Sequence, residues 1–309
     1  MDLVADALAC PICGEPLTRD GRALSCPSRH TFDVAKQGYA SLVVGGRTPK
    51  TGDTADMVAS RDAFLRSGAY DPIADAVSAA LPASRVGDGD AAVSQAGAAG
   101  GPQAGAADAP DAPSDAAVHL PGLIVDIAGG TGYYLARVLD AHPSLIGLTL
   151  DLSPLAARRA ARSHRRAAAG TADAWGRLPL RDAAASHLLS IFGPRNGPEM
   201  LRVLRPGGSL VVVTPQPGHL AELRAALGMI GIAERKDERL DTQLAGFDLV
   251  DRSGLEYTLV LGRDDIRDEV LMGPSAHHLD PSELDERIAS LADRTEVTVA
   301  VTVSTFRRP

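Results

Sequence analysis

The sequence is short of positive charge, of aromatic residues and of cysteine. Its net charge is −8, which excludes an overall positive field that would draw the whole surface to nucleic acid. Aromatic residues make up only 4% of the chain, although hydrophobic residues reach 45%, enough for a sizeable core. All three cysteines lie among the first 26 residues, so any cysteine-based site is confined to that end.

Long apolar runs are also absent. No stretch reaches the roughly 18 apolar residues that a membrane-spanning helix needs, so we expect no membrane partner. Residues 1–6 lack the basic start and apolar continuation of a secretory signal. Together with reduced, metal-ready cysteines, these absences predict a cytoplasmic protein.

The first informative feature that the sequence does contain is a metal-ligand pattern. Cys10 and Cys13 form one pair, and Cys26 and His30 form a second, in the spacing C-x2-C-x12-C-x3-H. Three thiolates and an imidazole on two tight turns suit tetrahedral Zn²⁺. Because four protein ligands leave no position open for a reactive water, the predicted zinc ion is structural. The alternative is three ordinary thiols in a loop.

The composition divides the chain into four segments, and a chain of this length suits about two domains. Residues 1–46 hold the zinc module, and 47–83 form a helical connector with its first helix beginning near Ala55. Residues 84–117 are rich in Ala, Gly, Asp and Pro without periodicity, so we expect a disordered insert. The remaining segment, 118–309, carries the pattern of an α/β domain.

Short apolar runs in this last segment alternate with helical patterns. Runs at 123–127, 146–150, 187–192 and 210–214 predict strands. Strands that alternate with helices favour a parallel sheet with helices on both faces.

Two later runs also predict strands. The first covers 257–261. The second, at 297–303, alternates valine with alanine and threonine, which predicts a strand with one buried face.

A glycine-rich turn follows the first predicted strand and precedes a helix. It contains Asp126, Gly129, Gly130 and Gly132, and glycine permits both a tight turn and the close approach of a ligand to the backbone. About 20 residues further on, Asp151 ends the next strand, where a carboxylate can accept both hydroxyls of a ribose. These features predict a nucleoside-containing cofactor.

Two details favour S-adenosylmethionine over a NAD cofactor. Asp126 can hold the ammonium end of a methionine moiety, whereas it would be poorly placed beside a pyrophosphate. Asp173 follows at a distance that suits the amino group of an adenine, with Ala174 or Trp175 against the ring. Helix caps or surface acids are the alternative interpretation of Asp126 and Asp173.

A candidate catalytic segment follows the third predicted strand of this domain. At the ligand crevice of an open parallel sheet, Phe192 can stack on a base, and Arg195 and Asn196 can bond a base edge or a phosphate. A plain turn of Gly, Pro and Asn is the competing interpretation.

Several segments resemble the bacterial 23S rRNA (guanine-N1)-methyltransferases. The resemblance is carried by the two zinc-ligand pairs with the run 31–39, by 52–57, and by the glycine turn. The segments 194–196 and 272–275 look closest to the branch that confers tylosin resistance in macrolide-producing actinobacteria. The resemblance covers nearly all of the chain outside 84–117.

The resemblance implies a class I (Rossmann-like) S-adenosylmethionine-dependent methyltransferase preceded by a small zinc-binding domain that recognises an rRNA hairpin. The implied reaction transfers a methyl group to N1 of a guanine in a domain II hairpin of 23S rRNA, in naked rRNA or in a large ribosomal subunit precursor. That hairpin lines the peptide exit tunnel near the macrolide site, so the methyl group contributes to resistance. A homodimer is left open.

The resemblance and the chemistry of the implied reaction extend the set of candidate residues. Tyr134 joins the cofactor-binding residues. Arg195 is the first candidate for stabilising negative charge on the guanine, and His278 or Asp33 for accepting the N1 proton. His277 stands where relatives carry an aromatic side chain.

Basic residues occur in two groups. Those of the zinc module suit contact with phosphate. Those of the helix after Asp151 are expected on a surface that faces away from the substrate. Ordinary solvated charge is the alternative for both. The groups are Arg19, Arg22, Arg29, Lys36, Arg47 and Lys50, and then Arg158, Arg159, Arg162, Arg165 and Arg166.

Two other functions compete with rRNA methylation. A small-molecule methyltransferase of an antibiotic pathway would use the zinc module only to stabilise the fold. A non-catalytic RNA-binding protein would have kept a degenerate cofactor fold, but its intact glycines and acids argue against this.

Overall fold

The computed structural model of the protein describes residues 1–44, 53–82, 122–231 and 236–309. The insert expected at 84–117 lies outside the described residues, as do Arg47 and Lys50. Among the described helices, none has both the length and the apolar character needed to cross a bilayer.

The amino-terminal module contains a small antiparallel sheet. Three strands follow a short 3-10 helix and pair in the order β1-β2-β3. Leu24 and Phe32 face each other across β2 and β3 and are buried, because they pack into the apolar core that also contains Leu8 and Leu17. The elements are the 3-10 helix Asp2–Ala7, β1 Thr18–Asp20, β2 Ala23–Ser25 and β3 Thr31–Asp33.

A fourth short strand joins this module to the rest of the molecule. Strand β4, Tyr39–Ser41, pairs in parallel with β7, Ala167–Thr171, at the edge of the large sheet. Just beyond β4, Leu42 N–H donates to Thr171 Oγ1 at 3.0 Å. The predicted boundary at residue 46 therefore follows a strand that already belongs to the second domain's sheet.

Two helices precede the large sheet in sequence, as predicted for the connector. Helix α1, Ala55–Arg66, begins after Thr54, whose side chain accepts a hydrogen bond from Met57 N–H. Helix α2, Asp71–Ala80, follows after a short turn. Buried apolar residues on both helices pack into the core of the second domain.

The described residues form an eight-stranded sheet in the order β10-β11-β9-β8-β5-β6-β7-β4. Neighbouring strands from β4 to β9 run parallel, and apolar residues cover both faces. Its other strands are β5 Leu123–Ile127, β6 Ile146–Asp151, β8 Ala185–Ile191, β9 Leu204–Pro215, β10 Asp248–Gly262 and β11 Arg294–Arg307. Its helices are α3 Tyr133–Ala141, α4 Pro154–Ala160, α5 Gly197–Val203, α6 Ala221–Leu227, α7 Lys236–Gln243, α8 Arg263–Met272 and α9 Pro281–Ala289.

The carboxyl-terminal strands differ from the sequence-based prediction in two respects. β10 and β11 are antiparallel to their neighbours, so the sheet is mixed. β11 was expected to bury one face, but it is buried on both faces from Val299 to Phe306. The reason is that β11 lies inside the sheet, between β9 and β10, where helices such as α2 and α6 pack against it and where its residues belong to both hydrophobic cores.

The order in which strands are added to the sheet reverses between β5 and β8. From β5 the chain proceeds to β6 and β7 on one side, and later enters β8 and β9 on the other. The connections that follow these strands therefore diverge, which opens a crevice at the carboxyl ends of β5 and β8. The glycine turn after β5 and the Phe192 segment after β8 both lie at this crevice.

Candidate functional site

The four predicted zinc ligands lie together. All of their ligand atoms are within 4.8 Å of one another. Cys10 Sγ and Cys26 Sγ are each 3.5 Å from His30 Nδ1, and Cys13 Sγ is 3.6 Å from Cys26 Sγ. Ligands bound to tetrahedral Zn²⁺ at its usual bond lengths stand about 3.6–3.8 Å apart. The donor set and its spacing therefore fit a zinc ion with Nδ1 as the histidine ligand atom.

Two backbone turns hold these ligands. Gly14 N–H donates to Cys10 O at 2.8 Å, and Arg29 N–H donates to Cys26 O at 2.9 Å. Both Gly14 and Arg29 have a positive φ, which closes each turn tightly. Glu15 connects the turns, because its Oε2 accepts from Ser28 N–H at 3.0 Å. Hydrogen bonds from the side chains of Ser28 and Cys13, together with that from the Ser28 backbone, lower the pKa of Glu15.

A cavity of about 680 Å³ opens at the crevice of the large sheet. Seven of the eight predicted cofactor residues line it, together with the predicted catalytic residue Arg195. The seven are Asp126, Gly129, Gly130, Tyr134, Asp151, Asp173 and Ala174.

The eighth predicted cofactor residue, Gly132, supports the turn from behind. It begins α3 with φ +79°, and an added Cβ would lie 2.8 Å from Ser163 Oγ and 3.1 Å from Ala160 Cα. Both the backbone conformation and the close packing of α3 against the α4 segment therefore require glycine here.

Asp126 lies at the floor of the cavity and is 1% exposed. Neither of its carboxylate oxygens has a hydrogen-bond partner among the described residues, and the buried hydroxyl of Tyr134 also has none. An added Cβ on Gly129 would come within 2.4 Å of Asp126 Oδ2, so the carboxylate lies directly against the turn. Buried polar atoms are normally paired, which makes this unpaired group a feature of a ligand site.

Asp151 is already fixed by the backbone. Its Oδ2 accepts from Gly130 N–H at 2.9 Å and its Oδ1 accepts from Ser153 N–H at 2.8 Å. Each carboxylate oxygen can accept a second hydrogen bond, so the pair remains able to receive two vicinal hydroxyls. Burial raises the pKa of Asp151, and the two backbone donors oppose that rise.

The turn that follows β7 forms another wall of the cavity. Asp173 Oδ1 accepts from Trp175 N–H at 2.9 Å, which forms a short turn beside the cavity. Asn196 Nδ2 donates to Trp175 O at 3.0 Å and to Gly176 O at 3.4 Å. Asn196 does not line the cavity, and its amide fixes the turn that contains Asp173 and Ala174.

The other predicted catalytic residues are separated by the structure. Arg195 lines the cavity, and its Nε donates to Gln243 Oε1 at 3.0 Å. His278 is exposed and lies outside the cavity wall, and Asp33 is exposed on β3 of the zinc module. The structure thus brings neither proposed proton acceptor to the cofactor residues.

Sequence reasoning missed a second polar group in the cavity. Glu269 on α8 lies beside Tyr70 and His219, and all three line the cavity. A signal for Glu269 was present, because it shares one face of α8 with the buried Ile266 and Val270. An acid within such an apolar stripe is unusual.

An ion pair closes another part of the cavity wall. Arg61 of α1 contacts the Asp53 carboxylate and donates to Met272 O at 2.6 Å. Its side chain also lies 3.2 Å from the position that a Cβ on Gly130 would occupy. The helical connector is therefore part of the cavity rather than a spacer.

Comparisons with known proteins agree with these two sites. The profile of the RlmA amino-terminal zinc ribbon matches residues 8–43. A Streptomyces fradiae protein, the 23S rRNA (guanine(748)-N(1))-methyltransferase, is 46% identical over 97% of this chain and 96% of its own length. The chain belongs to the 23S rRNA (guanine-N1)-methyltransferase family.

A second relative of similar identity supports this membership, and solved structures offer a more distant likeness. A Micromonospora griseorubida protein to which 23S rRNA (guanine-N1)-methylation is attributed is 44% identical over 97% of each chain. A solved structure of a protein assigned as a methyltransferase, from Bacillus halodurans, is 16% identical, covers 63% of this chain and 95% of its own, and gives a TM-score of 0.44. The two full-length relatives confirm the resemblance, and the strand order of the large sheet agrees with the class I methyltransferase fold predicted from the sequence.

The cavity fits the cofactor of such an enzyme, S-adenosylmethionine. Burial raises the pKa of Asp126 to about 8, and the nearby charge of Asp151 adds to the rise. A cationic ligand next to Asp126 favours the ionised form and supplies the missing donors. S-adenosylmethionine carries an ammonium and a sulfonium group, so its charge complements that of the unpaired carboxylate.

Proposed function

We propose that the protein transfers a methyl group from S-adenosylmethionine to N1 of a guanine in a domain II hairpin of 23S rRNA. Support comes from two relatives that match almost the full length of the chain. The observation that carries the proposal is the single cavity that joins the unpaired Asp126 to Phe192 and Arg195. Methylation of this hairpin then contributes to macrolide resistance.

The residues of the cavity have separate roles in this proposal. Asp126 holds the ammonium group, Asp151 the ribose hydroxyls, and Asp173 the adenine amino group. When bound, S-adenosylmethionine supplies a methyl group that its sulfonium already activates. The protein's contribution is therefore to hold guanine N1 in line with that group and to provide for its proton.

Arg195 is placed to stabilise the guanine as its N1 proton leaves. Arg195 lines the cavity together with Phe192, and its Nε donates to Gln243 Oε1. Deprotonation at N1 moves negative charge onto the carbonyl oxygen of the base, and a fixed cation lowers the energy of that form.

The zinc module recognises the RNA in this proposal. Cys10, Cys13, Cys26 and His30 hold a structural zinc ion. Exposed basic side chains at Arg22, Arg29 and Lys36 are available to phosphate.

The target guanine is unpaired or flipped out, because a base pair would cover N1. The substrate is 23S rRNA, either naked or in a large-subunit precursor. Action on ribosomal RNA places the protein in the cytoplasm.

Primer extension on 23S rRNA tests the proposal. N1-methylguanine blocks Watson–Crick pairing, so reverse transcriptase should stop beside the modified base only after incubation with both protein and S-adenosylmethionine. A stop in the domain II hairpin identifies the guanine. If neither naked RNA nor ribosomal subunits give a stop while the cofactor binds, a small-molecule substrate becomes the better assignment.

A further inference from the structure

The cavity contains a buried carboxylate that the cofactor assignments leave unused. Glu269 is 6% exposed, and its Oε2 has no hydrogen-bond partner among the described residues. Its Oε1 accepts from Tyr70 Oη at 3.5 Å. A buried carboxylate with an unpaired oxygen on the wall of a ligand cavity is placed to receive donors from a ligand.

A backbone N–H determines which atoms donate and which accept in the hydrogen bonds around Glu269. Ala300 N–H donates to His219 Nδ1 at 3.3 Å, so the neutral imidazole carries its hydrogen on Nε2. Nε2 then donates to Tyr70 Oη, 3.4 Å away. The Tyr70 hydroxyl therefore directs its own hydrogen to Glu269 Oε1. This chain orients the carboxylate and leaves Oε2 as an acceptor.

An aromatic surface adjoins this carboxylate. The Phe192 ring stacks on the His219 ring with centroids 5.8 Å apart and an angle of 24°. It also lies 6.3 Å from the Tyr70 ring. Phe192 is 39% exposed and has φ +54°, an unusual backbone conformation for an aromatic residue. An exposed ring held in this conformation, with only Tyr70 between it and a carboxylate of the same cavity, suits a flat, hydrogen-bonding ligand.

The pattern of acceptors selects among the RNA bases. Guanine presents two adjacent donors on its Watson–Crick edge, N1–H and the N2 amino group. Adenine and cytosine present a donor beside an acceptor, and uracil a single donor between two acceptors. Oε2 is unpaired, and Oε1 can accept a second hydrogen bond beside that from Tyr70, so the carboxylate offers two acceptors and matches guanine alone.

We infer that Glu269 binds the N1–H and N2 amino group of the target guanine and accepts the N1 proton, with Phe192 stacking on the base. This inference rests on the proposed function and extends it to base recognition. The N1–H bond breaks and its proton passes to Oε2. The electron pair left on N1 forms the bond to the methyl carbon, while the pair of the methyl–sulfur bond stays on sulfur.

The environment of Glu269 agrees with this role. Burial raises the pKa of Glu269 to about 7, against which the hydrogen bond from Tyr70 acts. A general base is most effective when its pKa lies near the operating pH. Tyr70 and His219 touch Glu269 or its partner rather than the base, and are positioning residues.

The substitution Glu269→Gln tests the proton transfer. Glutamine keeps the shape and can still accept from Tyr70, but it cannot take up a proton. We expect the single-turnover rate of 23S rRNA methylation to fall at least about 100-fold, while the affinity for S-adenosylhomocysteine changes less than about threefold. The control is Glu286→Gln, an exposed carboxylate on α9. A Glu269→Gln rate within about threefold of the wild type would overturn the inference.

A second measurement does not depend on methylation. Trp175 is the single tryptophan of the chain and lines the cavity, so its fluorescence can report binding there. With S-adenosylhomocysteine bound, guanosine monophosphate should bind at least about tenfold more tightly than adenosine monophosphate, and Glu269→Gln should remove that preference. Equal responses, or none, in the wild type overturn the guanine site. A preference without rRNA methylation counts against the proposed function alone.

Discussion

The zinc module and the cofactor cavity differ in how far apart in the chain their functional residues lie. The four metal ligands are contained within residues 10–30, on two local turns. The residues that line the cavity extend from Asp53 to Ser275 and come from five parallel-strand ends and several helices. The metal site is specified by the spacing of its ligands in the sequence, whereas the cavity exists only after the sheet has formed.

The two regions nevertheless meet along one edge. β4 pairs with β7, Leu8 pairs with Leu180, and Ala9 N–H donates to Pro179 O at 3.1 Å. Among the described residues, none from 1–44 lines the cavity. We therefore expect the zinc module and the cavity to bind their ligands independently, whereas methyl transfer to the RNA requires both.

Removal of zinc gives the largest expected effect. Zinc contributes about 10–16 kcal/mol to the folding of small zinc-finger peptides, so the substitution Cys26→Ser should unfold the module. We expect loss of bound zinc and at least about a 100-fold loss of 23S rRNA methylation. The affinity for S-adenosylmethionine should fall only about fivefold or less, through the uncovered edge of β7. Metal analysis, primer extension and calorimetry measure the three quantities.

Ser28→Ala is the matched control, because Ser28 is exposed, is not one of the four metal ligands, and keeps its backbone hydrogen bond to Glu15 when it is replaced by alanine. It should keep zinc and activity. Loss of cofactor binding in Cys26→Ser as great as the loss of methylation would show that the two regions fold as one unit, and the comparison would fail.

This contrast also explains how much could be predicted from the sequence. The ligand spacing identified all four members of the metal cluster, and the glycine turn identified the acids at the ends of β5, β6 and β7. Glu269, Tyr70 and His219 were missed as a group because the three residues are distant in sequence and meet only through packing.

The strand topology shows the same limit. Alternating strands and helices correctly predicted the parallel part of the sheet. The alternation of valines in β11 describes one strand in isolation, and it does not reveal that β9 and β10 flank it. Burial of both faces from Val299 onward depends on the elements that surround β11 in the folded domain.

The next largest effect is expected inside the cavity. The substitution Asp126→Asn keeps the shape of the side chain but removes the charge that would hold the cofactor's ammonium group. Charge-assisted hydrogen bonds contribute about 1.5–3 kcal/mol, so affinity for S-adenosylmethionine should fall about 10–100-fold at pH 8. Zinc content should be unchanged, the reverse of Cys26→Ser. Asp56→Asn, an exposed acid on α1, is the control.

The pH dependence of cofactor binding sharpens this assignment. The pKa of Asp126 is about 8 in the free protein, so the carboxyl is mostly neutral below that pH. If binding requires the ionised form, affinity should fall about tenfold for each pH unit below 8. Asp151, Tyr134 and Arg61 also contribute charge or polarity here. Calorimetry between pH 6 and 8 should show the slope in the wild type and a flat profile in Asp126→Asn.

The smallest effect tests whether Asn196 acts on the substrate or on the cofactor wall. Its amide donates to the carbonyls of Trp175 and Gly176. Because a neutral hydrogen bond contributes about 1 kcal/mol, Asn196→Ala should weaken S-adenosylmethionine binding about fivefold by loosening the turn at Asp173. Once the cofactor is saturating, methylation should return to within about threefold of the wild-type rate. A large loss of rate that saturation does not restore would instead place Asn196 in contact with the reacting base.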